Sequence, residues 1–167
     1  MPQENQDLDA LQLLSADHRK VEELFEQFEN AKGASKKQEI VLQICTELKV
    51  HAMIEEEIYY PAIRGKVEDD DLDEAYVEHD GAKMLINDLE KAEPDEDFYD
   101  AKVSVLQEQI EHHVKEEEKQ RDNLFSQTRK TDVDLQALGA RMAARKAELM
   151  ALAQSGGLPA AEPATLN

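Results

Sequence analysis

Five histidines are present in the 167-residue chain, and four of them recur at a regular interval. His18 and His51 lie 33 residues apart, and His79 and His113 lie 34 apart. Two of the four carry a glutamate one helical turn further on: His51-Ala-Met-Ile-Glu55 and His113-Val-Lys-Glu-Glu117. Residues four apart share a helix face, about 6 Å along the axis. An imidazole there can bind one cation while the carboxylate reaches towards a second. Two such helices supply two carboxylates, each able to bridge cations ~3.5–4 Å apart. Two further histidines complete a set of the kind that builds a paired metal centre inside a bundle. Mixed imidazole and carboxylate ligation suits iron, manganese or zinc and disfavours copper(I) or a thiolate site.

The elements that must position these groups follow from apolar periodicity. A first helix, about residues 8–30, carries Leu11, Leu14, Val21, Phe25 and Phe28, with His18 in the same stripe. Lys32-Gly33-Ala34 reads as a turn, and Ser35 with Gln38 as a capping box opening a second helix, about 36–64. That helix has the stripe Val41, Ile44, Leu48, His51, Glu55, Ile58, Ala62, with Pro61 expected to kink or tighten its last turn. A third helix, about 71–91, has Leu72, Tyr76, His79, Ile86 and Leu89, with an acidic run ahead of it suited to a helix N-terminus. A fourth, about 95–127, has Val103, Leu106, Ile110, His113, Glu117 and Leu124. A fifth, about 132–154, has Leu135, Leu138, Met142, Leu149 and Leu152. The tail, 155–167, is rich in Gly, Pro and Ala and is expected to be disordered.

The first histidines of the two helix pairs are offset by 61 residues and the second by 62, as in a duplicated helical hairpin. Two hairpins packed together give an all-α, antiparallel up-down four-helix bundle over residues 8–127. The extra C-terminal helix, 132–154, packs outside or caps it, making one domain of 8–154. In all four bundle helices the histidine stands where an apolar residue is expected. A buried glutamate is costly unless paired or bound to a cation, so Glu55 and Glu117 on the core stripe each require a partner. One histidine-to-glutamate spacing arises readily by chance in helices this acidic. Four histidines in four matching stripes do not. His112 lies off the stripe and reads as a solvent-facing or outer histidine. Cys45 reads as a small apolar filler, and Tyr59, Tyr60 and Tyr76 as rim or core residues.

Composition narrows the partners. Net charge is −19, with a pI of about 4.5. Such a surface repels phosphate backbones and anionic lipid, so neither nucleic acid nor a membrane surface is expected. A single cysteine forms no internal disulfide. Residues 1–9 show neither a basic n-region nor an apolar h-region, and no stretch approaches the roughly 20 apolar residues of a membrane span. The expected location is the cytoplasm.

The phrases Asp17-His18-Arg19-Lys20, His51-Ala-Met-Ile-Glu55-Glu56 with Tyr60-Pro61 behind it, Glu78-His79 and His112-His113-Val114-Lys115-Glu116-Glu117-Glu118 resemble the hemerythrin-like HHE cation-binding family. The likeness runs from about Leu8 to Leu152, and Leu138-Gly139 resembles that family's usual ending. The resemblance implies a four-helix bundle around a non-heme di-iron centre. His18 and His51 would hold one iron, His79 and His113 the other. Glu55 and Glu117 would bridge the two iron ions, with an oxo or hydroxo group between them.

Two departures bear on function. Oxygen-carrying hemerythrins have a second histidine one turn after the third-helix histidine, where this chain has Lys83. They also have an aspartate five residues after the fourth-helix histidine, where this chain has Glu118, while the stripe favours Glu117. Six protein ligands instead of seven leave a coordination position for water or for Lys83, which weakens the case for a reversible oxygen carrier. The expected function is binding of, or response to, a small diatomic gas or peroxide (oxygen, nitric oxide or hydrogen peroxide): sensing, scavenging or iron storage under oxidative or nitrosative stress. The alternatives are a di-iron enzyme decomposing peroxide or nitric oxide, and a metal-stabilised structural or interaction bundle. The sequence assigns no catalytic residue. A subgroup that repairs iron–sulfur clusters carries an N-terminal cysteine domain for which this sequence shows no counterpart.

Overall fold

The computed structural model describes residues 7–166 and is built from helices, with no strand among the described residues. Helix α1 spans Ala10–Asn30, α2 Ala34–Ile54, α3 Tyr60–Ile63, α4 Asp69–Lys91, α5 Tyr99–Val114, α6 Leu124–Arg129 and α7 Leu135–Ser155. A π-helical turn, Glu55–Tyr59, joins α2 to α3, and a second, Lys115–Lys119, extends α5. Helices α1, α2, α4 and α5 form the bundle, and α7 packs on α1 and α2. The all-α bundle with an added C-terminal helix is the architecture expected from periodicity.

The apolar core comes in two parts. One joins Leu13, Leu14, Ile54, Tyr59, Leu72, Phe125 and Met142; the other joins Val21, Leu24, Phe25, Ile40, Ile44, Ile86 and Leu106. His18, His51, His79 and His113 belong to neither and fall between them along their helices. A polar layer is thereby sealed at both ends by close-packed side chains, which removes bulk water from its donors.

Local details depart from expectation for identifiable reasons. Helix α2 begins at Ala34 behind Gly33, whose φ of 91° suits glycine, so Ser35 lies inside the helix and forms no cap. The capping box instead opens α1, between Asp9 and Gln12. Helix α5 starts at Tyr99 because Phe98 takes a left-handed conformation, φ 70°. The run expected to reach residue 127 breaks at Gln120–Asn123, where Asp122 has φ 55°, and resumes as α6. Pro61, expected to kink or tighten the last turn, follows a widened one. Lacking an N–H, it cannot continue the i→i+4 ladder, and the Tyr60 N–H bonds back to the Glu55 carbonyl, five residues away.

Residues 156–166 of the segment expected to be a disordered tail are laid across the bundle instead, and Asn167 lies outside the described residues. Asn87 on α4 exchanges two hydrogen bonds of 2.8 Å with the Ala161 backbone. The Asp80 carboxylate accepts the backbone N–H groups of Ala164 and Thr165, each at 2.7 Å. Lys83 Nζ donates to the Glu162 carbonyl at 2.9 Å. Side-chain-to-backbone bonds of this kind leave no hydrophobic period for sequence reasoning to detect.

Helix α7 meets the start of α1 at Gly139. A Cβ there would stand 2.6 Å from the Leu8 carbonyl oxygen and 2.7 Å from the Ala10 nitrogen, both backbone atoms. Backbone cannot rotate aside as a side chain does. Gly139→Ala is expected to lower unfolding free energy by about 1–3 kcal/mol through overpacking, read as a fall in the denaturation midpoint. An unchanged midpoint would contradict the close approach.

Candidate metal centre

Each histidine reaches the polar layer from a different helix: His18 from α1, His51 from α2, His79 from α4 and His113 from α5. The Nε2 atoms meet in two pairs, His18 with His51 at 3.2 Å and His79 with His113 at 3.3 Å. Glu55 enters from the start of the first π-helical segment and Glu117 from the middle of the second, and the residues are 0% and 2% exposed. Ligand-capable atoms of His18, His51, Glu55 and Glu117 lie within 4.8 Å of one another. Those of Glu55, His79, His113 and Glu117 do likewise. The six residues singled out from spacing are thus brought together as two four-residue groups sharing both carboxylates.

The other ring nitrogen of every histidine faces a second carboxylate. His18 Nδ1 lies 3.1 Å from Glu118 Oε1, and His51 Nδ1 3.1 Å from Asp17 Oδ2. His79 Nδ1 lies 2.8 Å from Glu56 Oε2, and His113 Nδ1 2.9 Å from Glu78 Oε1. The pattern is cyclic. The acid on α1 supports the histidine of α2, that following α2 supports α4, that on α4 supports α5, and that following α5 supports α1. A carboxylate accepts only, so each Nδ1 carries the proton and each Nε2 is left with its lone pair. Two lone pairs facing each other across 3.2 or 3.3 Å repel unless a positive charge lies between them.

These four carboxylates are held in turn by further polar groups, three of them by a lysine or arginine. Asp17 accepts from Lys146 of α7 at 2.6 Å, and Glu56 from Lys83 at 2.9 Å. Glu78 pairs with His112 at 3.0 Å, and Glu118 with Arg19 and, at 2.6 Å, Ser15 Oγ. Two residues that were ambiguous in the sequence acquire positions here. Lys83, considered as an added ligand, extends to Glu56 and the tail and does not join either donor group. Glu118, which stands at the position of the carriers' aspartate, anchors the ring of His18, and Glu117 is the carboxylate that enters the centre. Asp17, Glu56 and Glu78 were missed because acids are common along these helices and read as solvated surface. The available signal was their adjacency: each immediately precedes a site histidine or follows a site glutamate.

Tyr60 was also missed as a central residue. It is fully buried, and its hydroxyl lies 2.7 Å from Glu55 Oε2, 2.6 Å from Glu117 Oε1 and 3.3 Å from His79 Nε2. Its single proton can serve one carboxylate at a time. Three consecutive buried side chains, Ile58, Tyr59 and Tyr60, span about 200° on a regular helix, more than one apolar stripe covers; the π turn is what lets all three face inward. Tyr76, half-buried, packs its ring 5.2 Å from that of Tyr60 and does not enter the centre.

Charge balance shows what the donor set fits. Burial opposes charge on His51, but Glu55 and Asp17 outweigh it and push its pKa up to about 10. His79 and His113 are raised against burial by the carboxylates around them. Burial works against ionised Glu55 too, yet the imidazoles hold it well below the usual carboxylate range. Burial and the negative charges of Glu117 and Glu55 push the Tyr60 hydroxyl well above 10. The protein surroundings therefore demand positive charge at the centre, and protons supply it when nothing else does. Even so, Glu55 Oε1 and Glu117 Oε2 are without a hydrogen-bond partner; Glu55 Oε1 lies 2.7 Å from His51 Nε2, but not in hydrogen-bonding alignment. Neutral imidazole and carboxylate donors converging in a buried, anionic layer fit divalent or trivalent cations.

The sequence profile described as Hemerythrin HHE cation binding domain matches residues 9–120. The chain belongs to the hemerythrin HHE cation-binding family. The fold agrees. A crystal structure of a hemerythrin HHE cation binding domain-containing protein from Mycobacterium kansasii superposes with a TM-score of 0.74 at 22% identity, covering 90% of this chain and 95% of that one. A protein of a Nostoc species named DNA nickase is 30% identical over 115 residues, 69% of this chain. The chain spans about a third of the length of that relative, 33%. Among the described residues no helix is long and apolar enough to cross a membrane.

The outer carboxylates should control affinity at this HHE centre. Asp17→Asn and Glu118→Gln are each expected to weaken metal binding by ~10–100-fold, measured by competition with a chelator. Because a metal must displace the proton that His51 holds up to about 10, wild-type affinity should rise with pH. Unaltered affinity in both variants would show that the Nδ1 contacts do not orient the donors.

Proposed function

We propose that this HHE protein holds two iron ions and uses them to bind, or respond to, oxygen, nitric oxide or peroxide. In this reading His18 and His51 hold one ion, His79 and His113 hold the other, and Glu55 and Glu117 are shared between them. The observation that carries it is the cyclic set of Nδ1 contacts, which turns four Nε2 lone pairs towards one buried layer containing two otherwise unpartnered carboxylate oxygens. Iron so held would supply reversible one-electron chemistry and open positions for a small ligand.

What the chain's own residues contribute is exclusion, orientation and a proton. The two core halves keep bulk water from the donors. The outer acids fix ring orientation. Tyr60 keeps a proton at an oxygen within 2.7 Å of both carboxylates, where an incoming anionic or peroxidic group could receive it. That hydroxyl is the specific feature favouring the enzymatic reading, turnover of peroxide, as the second choice.

Nucleic acid has no part in this proposal. The nicking activity belongs to the longer Nostoc relative by its name, and a net charge of −19 opposes approach of a polyanion.

Elemental analysis of protein produced with ample iron should give close to two irons per chain and visible absorption. His51→Ala should lose most of both while keeping its helical circular dichroism. Iron at background level in the wild-type protein, with no visible band, would remove the di-iron reading.

A further inference from the structure

A cavity of about 310 Å³ adjoins the imidazole layer on the side of Val21, Leu48, Ala82, Ile86 and Ile110. The four site histidines form its floor, and Pro159, Ala160 and Ala161 of the C-terminal segment close it over. An apolar cavity about half that size, roughly 150 Å³, takes a benzene ring. Oxygen, nitric oxide and peroxide are far smaller, and peroxide gains nothing from aliphatic walls. The space is matched to an organic molecule of one or two rings, or an equivalent alkyl chain, without formal charge. The acids Asp17, Glu56 and Glu57 also line it, and its two lysines are already committed: Lys83 to Glu56 and the Glu162 carbonyl, Lys49 to Glu90 at 3.1 Å. Neither is free to recruit an acid.

The cover is built differently from the walls. Residues 156–166 contribute no fully buried side chain; only Leu158 and Ala161 are even half-buried. Their attachment is polar, through Asn87 to Ala161 and Asp80 to Ala164 and Thr165. Lifting the segment uncovers the cavity walls and gives up the packing of Leu158 against the core, but it breaks into no buried side-chain cluster and exchanges its hydrogen bonds for bonds to water, whereas opening the walls would unpack the bundle.

We propose that this cavity is a binding site for a small, uncharged, apolar organic molecule, seated against the histidine layer and admitted by displacement of the C-terminal segment. The proposal needs only the cavity and its cover, and stands apart from the identity of the metal.

Toluene is a suitable probe for the full-length protein as purified, followed through methyl resonances in two-dimensional NMR. Saturable shifts are expected at the methyl groups of Val21, Leu48, Ala82, Ile86 and Ile110. Ala82→Leu fills the space and should weaken binding by at least about tenfold. Asn87→Ala removes two cover bonds and should speed both association and dissociation, by about tenfold for the loss of roughly 1.4 kcal/mol, with the dissociation constant little changed. Asp80→Asn loosens the cover at its other anchor and stands in if Asn87→Ala does not fold. No saturable shift in either wild-type or cover-loosened protein would overturn the proposal. So would shifts confined to surface methyls, or binding that Ala82→Leu leaves intact. Metal content, measured on the same samples, separates this result from the fate of the di-iron reading.

Discussion

The Nδ1 proton of each site histidine is the element on which the rest depends. Once a carboxylate takes that proton as its hydrogen-bond partner, the tautomer is fixed and the opposite nitrogen becomes a donor to metal. Four such choices, made in a ring through Asp17, Glu56, Glu78 and Glu118, aim four lone pairs at one layer. Without the ring, four imidazoles in an apolar bundle would be four desolvated polar groups in search of partners. The energetic cost of the layer is high in the metal-free state, since Glu55 and Glu117 are buried with oxygens unpartnered. That cost makes the centre selective for positive charge.

The ring also explains why so much of the acidic surface is not merely a solubility device. Three of the outer acids are paired with a cation from elsewhere in the chain, Asp17 with Lys146, Glu56 with Lys83 and Glu118 with Arg19, and Glu78 lies against the His112 ring. The outer acids are thereby partnered away from the centre, which leaves the central carboxylates, Glu55 and Glu117, for the metal. Helix α7 gains a role in this scheme. It is more than a lid on α1 and α2, because Lys146 reaches from it to Asp17. Its close seating against α1 is what Gly139 permits.

Much of this was legible in the sequence, and the boundary of legibility has physical causes. The bundle was readable because apolar stripes of period 3.6 and a 61- to 62-residue offset are global signals that survive local irregularity. The six central residues were readable because a histidine or glutamate in an apolar stripe is an exception that burial makes expensive. The outer acids were not: Glu56 and Glu118 sit in runs of glutamates, where a sequence does not say which member turns inward, and Asp17 and Glu78 are single acids beside a histidine in a chain rich in acids. Tyr60 was hidden by the π turn, which shifts helical phase by one residue just where the stripe would have placed it at the rim. The C-terminal cover was hidden because polar side chains hold its backbone, and composition alone reads such a stretch as unstructured.

The central claim is that Nε2 atoms, and not Nδ1 atoms or the outer acids, face the bound cations. Anomalous diffraction collected at the iron edge from crystals of the metal-loaded protein tests it most directly. Two peaks about 3.5–4 Å apart are predicted, one beside the Nε2 atoms of His18 and His51 and one beside those of His79 and His113. A single peak, or density centred on Glu78, His112 and Glu116 at the surface, would contradict the account.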